Sequence, residues 1–165
     1  MPGRSHGARS SLFALAALVA AGCSAGSQRA ATPAPLLFPP ELVDWVPYEG
    51  HPLFAGTGQD TWDREIRERG FVLREGGAWK LWYTGYDSAK SEVKSLGYAT
   101  SPDGIRWTRH PGNPVYDRLW TEDVFVTKHE GVYQMFAEGT NDVAHRLTSA
   151  DGLRWEDQGS LDVRT

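Results

Sequence analysis

The phrase "SPDGIRW" occupies Ser101–Trp107, and a near copy, "SADGLRW", occupies Ser149–Trp155. The two copies start 48 residues apart in a chain of 165 residues, which is long enough for about one domain. Asp-Gly is a strong turn signal because glycine adopts a positive φ without a Cβ clash, and serine and aspartate side chains bond turn backbone. We therefore predict that each phrase is a turn leading into an outer strand, with the tryptophan as its anchor.

The phrase belongs to a longer repeat. "WVPYEGHPLF" (Trp45–Phe54) aligns with "WTRHPGNPVY" (Trp107–Tyr116), and Phe71–Gly85 aligns with Phe125–Gly139. A third copy begins at Trp155. A period of roughly fifty residues, with short aromatic runs between turn residues, is typical of stacked or radial β units such as the blades of a propeller.

Each unit reads as four short strands, so the predicted fold class is all-β. In the second copy the predicted hairpins are Glu130-Gly131 and Asp151-Gly152. The predicted strands there are Val124–Lys128, Val132–Glu138, Ala144–Ser149 and Leu153–Asp157. The second strand carries large apolar groups on both faces, Met135 on one and Phe136 on the other. A blade packed between two neighbouring blades explains this pattern.

Most of the tryptophans are expected in the core. Those at predicted strand positions are Trp45, Trp79, Trp82, Trp107 and Trp155. The only mildly helical stretch, Asp60–Gly70, is charged throughout and reads as an insertion before the first-copy strand that starts near Phe71.

The number of units conflicts with ring closure. Blades of this size close a ring with four or more copies, whereas residues 36–165 hold two complete copies and the start of a third. We expect a fragment of a longer protein, monomeric when complete, because an open array would expose aromatic sheet faces. The alternative is association of chains to complete the ring.

The N-terminus reads as an export signal. Arg4 and Arg9 precede the apolar stretch Ser11–Ala21, which is too short to span a bilayer. Cys23, the only cysteine, follows "LVAAG", which resembles a bacterial lipobox, although Ala20 stands where leucine is usual. We predict a signal peptide over residues 1–22 and acylation of Cys23. The alternative is a plain signal peptide that leaves a free thiol.

The predicted mature chain is anchored by lipid to a membrane of the cell envelope, at its periplasmic face or at the cell surface. Residues 23–35 are small, polar and proline-containing, as in a flexible tether. Residues 36–165 are the predicted propeller domain.

Charge and motif content exclude several classes of function. Without Arg4 and Arg9 the balance is 15 basic against 21 acidic residues, which argues against nucleic acid as a partner. The five histidines lack the paired spacing of zinc ligands, and no Gly-rich phosphate loop or Gly-x-Ser-x-Gly elbow occurs. We expect no metal and no cofactor.

Three stretches resemble the five-bladed β-propeller glycoside hydrolases, the group of families 43 and 32 with the related family 130. They are "KLWYTGYD" (Lys80–Asp87), "LGYATSPDGIRWTRHPGNPVY" (Leu96–Tyr116) and "YQMFAEGTNDVAHRLTSADGLRW" (Tyr133–Trp155). The resemblance covers residues 45–165 and corresponds to the N-terminal part of such enzymes. It implies a five-bladed propeller, of which about two to two and a half four-stranded blades are present, and a carbohydrate site in the central channel.

The resemblance also implies carboxylates where the innermost strands begin. Asp123, preceded by Glu122, matches the second-blade aspartate, although the proline that usually follows is absent. In the first copy the same register holds Arg69 instead of aspartate, so Asp63 or Asp60 would have to replace the missing group. The third-blade glutamate would lie beyond Thr165.

Glycoside cleavage requires two carboxyl groups across the scissile bond, one as acid and one as base or nucleophile. The candidates for these roles are Asp63, Glu122, Asp123, Glu138 and Asp142. Asp123 should face the channel, and Arg69 could pair with it. Glu138 ends an aromatic strand and could be an acid held among apolar groups. The alternatives are a strand-edge carboxylate for Asp123, a solvated strand end for Glu138 and a solvated loop for Asp63.

Aromatic and polar side chains near the predicted channel could bind sugar. The candidates are Trp62, Trp120, Arg69, Asn141, Asp142 and His145. Indole faces stack on the C–H faces of sugars, whereas blade packing is the alternative for Trp120 and a structural hydrogen bond is the alternative for Asn141 and His145.

Two functions are therefore expected. The first is an envelope-anchored glycoside hydrolase, which Glu122, Asp123 and Glu138 favour. The second is a propeller lipoprotein that binds glycans without cleaving them, which Arg69 in the aspartate position favours.

Overall fold

The structure is a computed structural model, and it describes residues 38–162. The predicted signal peptide, the acylation of Cys23, the whole tether 23–35 and the domain boundary at residue 36 lie outside these residues. The chain divides by its contacts into two units, Met1–Trp45 and Val46–Thr165. The described part of the first unit contains a short 3₁₀ helix, Pro40–Leu42. Trp45 lies outside any strand and is 80% exposed, so its prediction as a core residue is wrong.

The second unit is built from two four-stranded antiparallel sheets, which confirms the all-β prediction. The first sheet has the order β1-β2-β3-β4 and the second β5-β6-β7-β8. The strands are β1 (Glu65–Glu75), β2 (Ala78–Asp87), β3 (Ser91–Ser101), β4 (Thr108–Arg109), β5 (Glu122–His129), β6 (Val132–Glu138), β7 (Ala144–Ser149) and β8 (Glu156–Ser160). Each sheet follows the chain order, and β1 lies against β5. These first strands are therefore the innermost strands of two consecutive sheets.

The main core lies between the two sheets. Trp82 of β2 and Met135 of β6 are both fully buried there. The other large side chains of this cluster are Leu96, Tyr98, Tyr116, Val126, Tyr133, Leu147 and Trp155. Burial of this apolar surface, at roughly 25 cal/mol per Å², is the main contribution that holds the two sheets together.

A second, smaller cluster covers the other face of the first sheet. Leu81 and Tyr83 alternate with Trp82 along β2, so their side chains point away from the second sheet. Phe54, Trp62 and Trp107 pack on them. The first sheet is thus buried on both faces, as the sequence of β2 predicts.

The repeated phrase forms the same turn before the last strand of each sheet. The Ser149 hydroxyl accepts the N–H groups of Asp151 and Gly152, and one Asp151 carboxylate oxygen accepts those of Leu153 and Arg154. Ser101 and Asp103 make the equivalent four bonds beside the first sheet. The predicted turn and its anchor, Trp155, are confirmed.

The details of that turn correct two predictions. Asp151-Gly152 is not a two-residue hairpin, because the Asp151 side chain also binds the next two backbone N–H groups. This lengthens the connection, so β8 begins at Glu156 rather than at Leu153. By contrast, Glu130 and Gly131 both have positive φ and link β5 to β6 directly, as predicted for a two-residue hairpin.

The charged stretch Asp60–Gly70 is also corrected. Its second half is the first part of β1, which begins at Glu65 and not near Phe71. The insertion is a bulge inside the strand, since the register with β2 shifts between Arg67 and Phe71. Among the described residues, no helix is long and apolar enough to span a membrane.

Candidate functional site

Both innermost strands are bulged near their beginnings. In β5 the register with β6 shifts between Glu122 and Phe125, and Asp123 has φ 44°. In β1 the shift falls at the equivalent place, because Phe71 and Phe125 pair with equivalent positions of the neighbouring strands. Bulges redirect side chains and are frequent beside active sites. Here they determine where the charged groups at the beginnings of β1 and β5 point.

Four carboxyl groups gather at this end of the second sheet. Glu122 and Glu138 are register partners on β5 and β6, and Asp123 follows Glu122. Asp142 lies in the 3₁₀ turn Thr140–Asp142 that follows Gly139. Partial loss of solvation, together with the charges of Asp142, Asp123 and Glu122, raises the pKa of Glu138. The cluster therefore contains one carboxyl group that holds its proton more strongly than usual, among carboxylates.

The first sheet supplies the opposite charge. Arg69 Nη2 donates a 2.7 Å hydrogen bond to Asp123 Oδ2, and Arg67 Nε lies 3.6 Å from Glu122 Oε1. The pairing of Arg69 with Asp123 is the one that the sequence predicts. Whether either residue takes part in catalysis stays a prediction.

Glu122 is a buried carboxyl group with unequal oxygens. It is 5% exposed, and its Oε2 accepts a 2.7 Å hydrogen bond from the Trp120 indole N–H. Among the described residues, Glu122 Oε1 and Asp123 Oδ1 are buried without a hydrogen-bond partner. Buried acceptors are nearly always satisfied, so such atoms mark a site that a ligand or water would complete.

Trp120 contacts several parts of the cluster. Its carbonyl oxygen lies 3.2 Å from His145 Nε2, and the Lys94 ammonium lies 4.7 Å from its ring centroid. Lys94 is 3% exposed and also lies 3.9 Å from the ring of Tyr86. One face of the Trp120 ring is thus occupied by a cation, which reduces the surface that a sugar could stack on.

Asp63 and Trp62 lie elsewhere, on the other face of the first sheet. Asp63 is 2% exposed and accepts hydrogen bonds from the Tyr83 hydroxyl at 3.1 Å and from Arg109 Nε at 2.7 Å. Trp62 stacks on Tyr83, with ring centroids 5.8 Å apart. Asp60 is exposed and pairs with Lys90. These contacts favour a structural role for Asp63, and the structure does not bring it together with Asp123.

The two polar candidates near the second sheet, His145 and Asn141, have different surroundings. His145 is buried, and its Nδ1 lies 3.6 Å from Asp157 Oδ1. Asn141 is exposed in the turn beside Asp142, with φ 61°. His145 thus contacts the backbone of Trp120, whereas Asn141 lies at the solvent-exposed edge of the carboxyl cluster.

Sequence reasoning missed Arg67 and Lys94. Arg67 could have been found from strand alternation, since it lies two residues before Arg69 in a segment that folds as a strand. Lys94 gave no local signal, because its aromatic neighbours come from β2 and from the loop before β5. Within residues 38–162, no group of three or more His, Cys, Asp or Glu side chains is arranged to hold a metal ion.

No protein-family model matches the sequence. No curated protein matches it either. Solved structures of propeller enzymes do match. A glycosyl hydrolase from Bacteroides ovatus superposes with a TM-score of 0.59 at 20% identity, over 69% of this chain and 40% of that chain. The GH32 β-fructofuranosidase of Bombyx mori gives a TM-score of 0.52 at 19% identity, over 58% of this chain and 23% of that chain.

A variant of the same Bombyx mori enzyme, in complex with sucrose, matches with a TM-score of 0.51 at 20% identity, over 58% of this chain and 23% of that chain. The chain therefore spans between about a quarter and two fifths of the length of these structures. The fold is all-β, and its two sheets correspond to blades of the β-propeller fold of these structures.

Proposed function

We propose that the chain is the part of an exported glycoside hydrolase that carries a carboxyl pair for cleaving glycosidic bonds of an oligo- or polysaccharide. The observation that carries the proposal is the cluster at the beginning of β5. There Glu138 is held toward its protonated form beside Glu122 and Asp123, while Arg69 pairs with Asp123. Two carboxyl groups in different environments are what acid–base cleavage of an acetal requires.

The roles follow from the surroundings of each group. Glu138 is the proton donor to the leaving glycosidic oxygen, since its pKa is raised. Asp123, whose Oδ2 is held by Arg69, is the carboxylate that activates water or attacks the anomeric carbon. Glu122, whose Oε2 accepts the Trp120 indole N–H, lies next to Asp123 and opposite Glu138, and it holds the other two groups in place through the register of β5 and β6.

The experiment is a screen of aryl furanosides and pyranosides with the full chain, followed by kinetics of Asp123→Asn and Glu138→Gln on any substrate found. Loss of a positioned acid or base lowers kcat by about 10²–10⁴-fold. The matched control is Asp117→Asn, an exposed aspartate outside the cluster, which should retain wild-type turnover. Equal turnover in wild type and both cluster variants would overturn the assignment.

The second candidate is a glycan-binding propeller without hydrolysis. The observation that favours it is that β1 contributes two arginines to the cluster, Arg67 and Arg69, and that Arg69 stands where the resemblance implies an aspartate. Sugar binding that survives in Asp123→Asn, with no turnover of any glycoside in the screen, would select this function.

We also propose that the mature protein is anchored to the cell envelope through an acylated Cys23. The motif around Cys23 supports this. Metabolic labelling with an alkyne fatty acid should mark the protein and fail to mark Cys23→Ser, which should appear in the soluble fraction. Labelling of Cys23→Ser equal to that of the wild type would overturn the anchor.

A further inference from the structure

A cavity of about 220 Å³ lies beside the carboxyl cluster, on the second sheet. Its volume is below the roughly 300–1,000 Å³ of sites for drug-sized molecules, so it suits a single ring. The cavity is bounded by the loop before β5, by the turn between β6 and β7 and by the end of β8. Its lining includes Leu119, Trp120, Val143, His145, Asp157 and Ser160.

The cavity adjoins the carboxyl cluster on two sides. Trp120 lines the cavity, and the indole N–H of the same residue donates to Glu122. Gly139, which also lines it, follows Glu138 directly. A Cβ at Gly139 would lie 3.3 Å from His145 Cδ2, so the backbone of this turn lies close to the imidazole. A ligand in the cavity would therefore lie next to the proposed reaction centre.

The polar side of the cavity contains a buried acceptor. The His145 side chain is 6% exposed, and its Nε2 lies 3.2 Å from the Trp120 carbonyl oxygen. That oxygen can only accept, so Nε2 carries the hydrogen, and Nδ1 in the neutral ring is an acceptor. Among the described residues, His145 Nδ1 is buried without a hydrogen-bond partner. Because buried polar atoms nearly always have a partner, Nδ1 marks a position that a ligand or water would complete.

A second acceptor faces the first. Asp157 Oδ1 lies 3.6 Å from His145 Nδ1, which is too far for a hydrogen bond between the two atoms. The Gly159 N–H donates to the same carboxylate oxygen at 3.0 Å and orients it. A carboxylate oxygen has two lone pairs, so Oδ1 can accept a further hydrogen. The cavity therefore presents two neighbouring acceptors, each held in place before a ligand arrives, which lowers the entropy cost of binding.

The solvent side of the cavity has apolar side chains. Leu119 and Val143 are both exposed, and both line the cavity together with Trp120. Apolar walls around a few convergent polar groups are typical of small-molecule sites. A sugar ring matches this arrangement because its hydroxyl groups surround a hydrocarbon ring. Two ligand atoms are too few for a protein zinc site, so the acceptor pair does not favour a metal ion.

Adjacent hydroxyl groups on one sugar fit the acceptor pair. We propose that this cavity is a subsite for a sugar unit with a vicinal diol, whose two hydroxyls donate to His145 Nδ1 and Asp157 Oδ1. The proposal rests on the proposed function only in assigning that unit to the glycan on which the carboxyl cluster acts. A sugar without adjacent hydroxyls would leave one acceptor unpaired, so the subsite selects for the diol.

The test is binding of matched methyl glycosides to the full chain, measured by ligand-observed NMR. Methyl xylopyranoside has adjacent hydroxyls, whereas those of its 3-deoxy analogue are not adjacent. Methyl arabinofuranoside has an adjacent pair on its ring, which methyl 2-deoxyribofuranoside of the same D or L series lacks. We expect at least one parent glycoside to bind about tenfold more tightly than its deoxy partner, because a hydrogen bond to a carboxylate is about twice as strong as a neutral one. No preference in either pair would overturn the proposal.

The variants are His145→Phe and Asp157→Ala, each of which removes one acceptor. Either should remove most of the preference for the diol, and Asp157→Ala, at a partly exposed position, keeps the test valid if His145→Phe does not fold. The control is Glu156→Ala, an exposed acid one residue earlier on β8 and so on the opposite face of the strand, which should keep the full preference. A preference that persists in Asp157→Ala would come from another site and would overturn the proposal.

NMR of the His145 ring nitrogens tests the acceptor itself. We expect the hydrogen on Nε2 in the free protein, and we expect the Nδ1 resonance to shift when the diol binds. A hydrogen on Nδ1 in the free protein would overturn the proposal. So would an Nδ1 resonance that the bound diol leaves unchanged, because the imidazole would then serve only to bind the Trp120 carbonyl.

The two proposals fail separately. Diol binding that depends on Asp157, without hydrolysis of any glycoside, would support the subsite and count against the hydrolase. Hydrolysis that depends on Asp123, with no preference between a diol and its deoxy partner, would support the hydrolase and overturn the subsite.

Discussion

Arg69 Nη2 lies 2.7 Å from Asp123 Oδ2, and this ion pair joins the innermost strands of two consecutive sheets. The Arg69 side chain is 82% exposed, whereas that of Asp123 is 27% exposed. Exposed ion pairs contribute about 0–1 kcal/mol to stability because water screens them. We therefore expect the pair to affect the geometry of the site more than the stability of the fold.

The first prediction concerns Arg69→Gln. We expect a change in the free energy of unfolding of less than about 0.5 kcal/mol in urea titrations, together with at least a tenfold loss of turnover on any substrate that the screen identifies. Arg74→Gln is the control, because Arg74 lies on the same strand and contacts Trp79 rather than the cluster. A loss of stability without any loss of turnover would assign Arg69 to the fold alone.

The second prediction concerns the opposite end of the sheets. Glu75 accepts hydrogen bonds from Lys128, Lys80 and Tyr133, which lower its pKa from 4.5 to about 2. A lowered carboxyl pKa stabilises the fold fully above pH 4.5, and this contribution is lost as the pH falls toward 2. The Glu75 side chain is 30% exposed, so screening reduces the contribution.

Glu75→Gln should therefore lower the free energy of unfolding by about 1–2 kcal/mol at pH 7. The difference from the wild type should shrink between pH 4.5 and pH 2, as followed by urea titrations across that range. Glu156→Gln, at an exposed position of β8, should change stability by less than about 0.5 kcal/mol. A difference that is constant from pH 7 to pH 2 would show that the Glu75 charge has no part in it.

The third prediction compares the two glycines of the repeated phrase. Gly104 and Gly152 have nearly equal positive φ, 77° and 79°, so alanine is strained by about 1–2 kcal/mol at both. A Cβ at Gly152 would also lie 3.0 Å from a ring carbon of buried Trp82, whereas one at Gly104 would lie 3.5 Å from Trp79. Trp82 Nε1 further donates to the Gly152 carbonyl at 2.8 Å.

Gly152→Ala should accordingly destabilise the protein by about 1 kcal/mol more than Gly104→Ala, since overpacking a buried ring costs about 1–3 kcal/mol. Thermal unfolding of the two variants side by side measures the difference. Equal losses would mean that the Trp82 ring moves aside at little cost.

The sequence predicts the repeating parts of this fold because they are local. Strand alternation and turn residues specify β6 and β7 to the residue, and the Glu130-Gly131 hairpin follows from the φ values that its residues tolerate. The bulge in β1 was missed because its charged residues obscure the strand pattern. Gly70 was a local hint, since a glycine inside a strand often marks a bulge or a close backbone approach. The structure shows such an approach, because a Cβ at Gly70 would lie 2.8 Å from the Trp82 carbonyl oxygen.

The carboxyl cluster was predictable because one hairpin supplies most of it. Glu122, Asp123 and Glu138 lie together because β5 and β6 are a hairpin, and hairpin register is visible in the sequence. The contacts of Asp63 depend on Arg109, 46 residues later, and those of Lys94 depend on Trp120. Such long-range contacts are determined by how the two faces of the first sheet are covered, which no local pattern encodes.

The last prediction concerns the proton on Glu138. Partial loss of solvation raises the pKa of Glu138, and the charge of Asp142 raises it further. Asp142→Asn removes that charge, so the pKa of Glu138 should fall. Carbon-detected NMR titration of the Glu138 carboxyl measures this in the full chain without a substrate. Because an acid must be protonated, the alkaline limb of the pH–rate profile should move to lower pH in the same variant. Asp117→Asn, an exposed charge outside the cluster, should move neither. An unchanged or higher Glu138 pKa in Asp142→Asn would mean that the like charge is screened and that Glu138 does not hold its proton for the reason given.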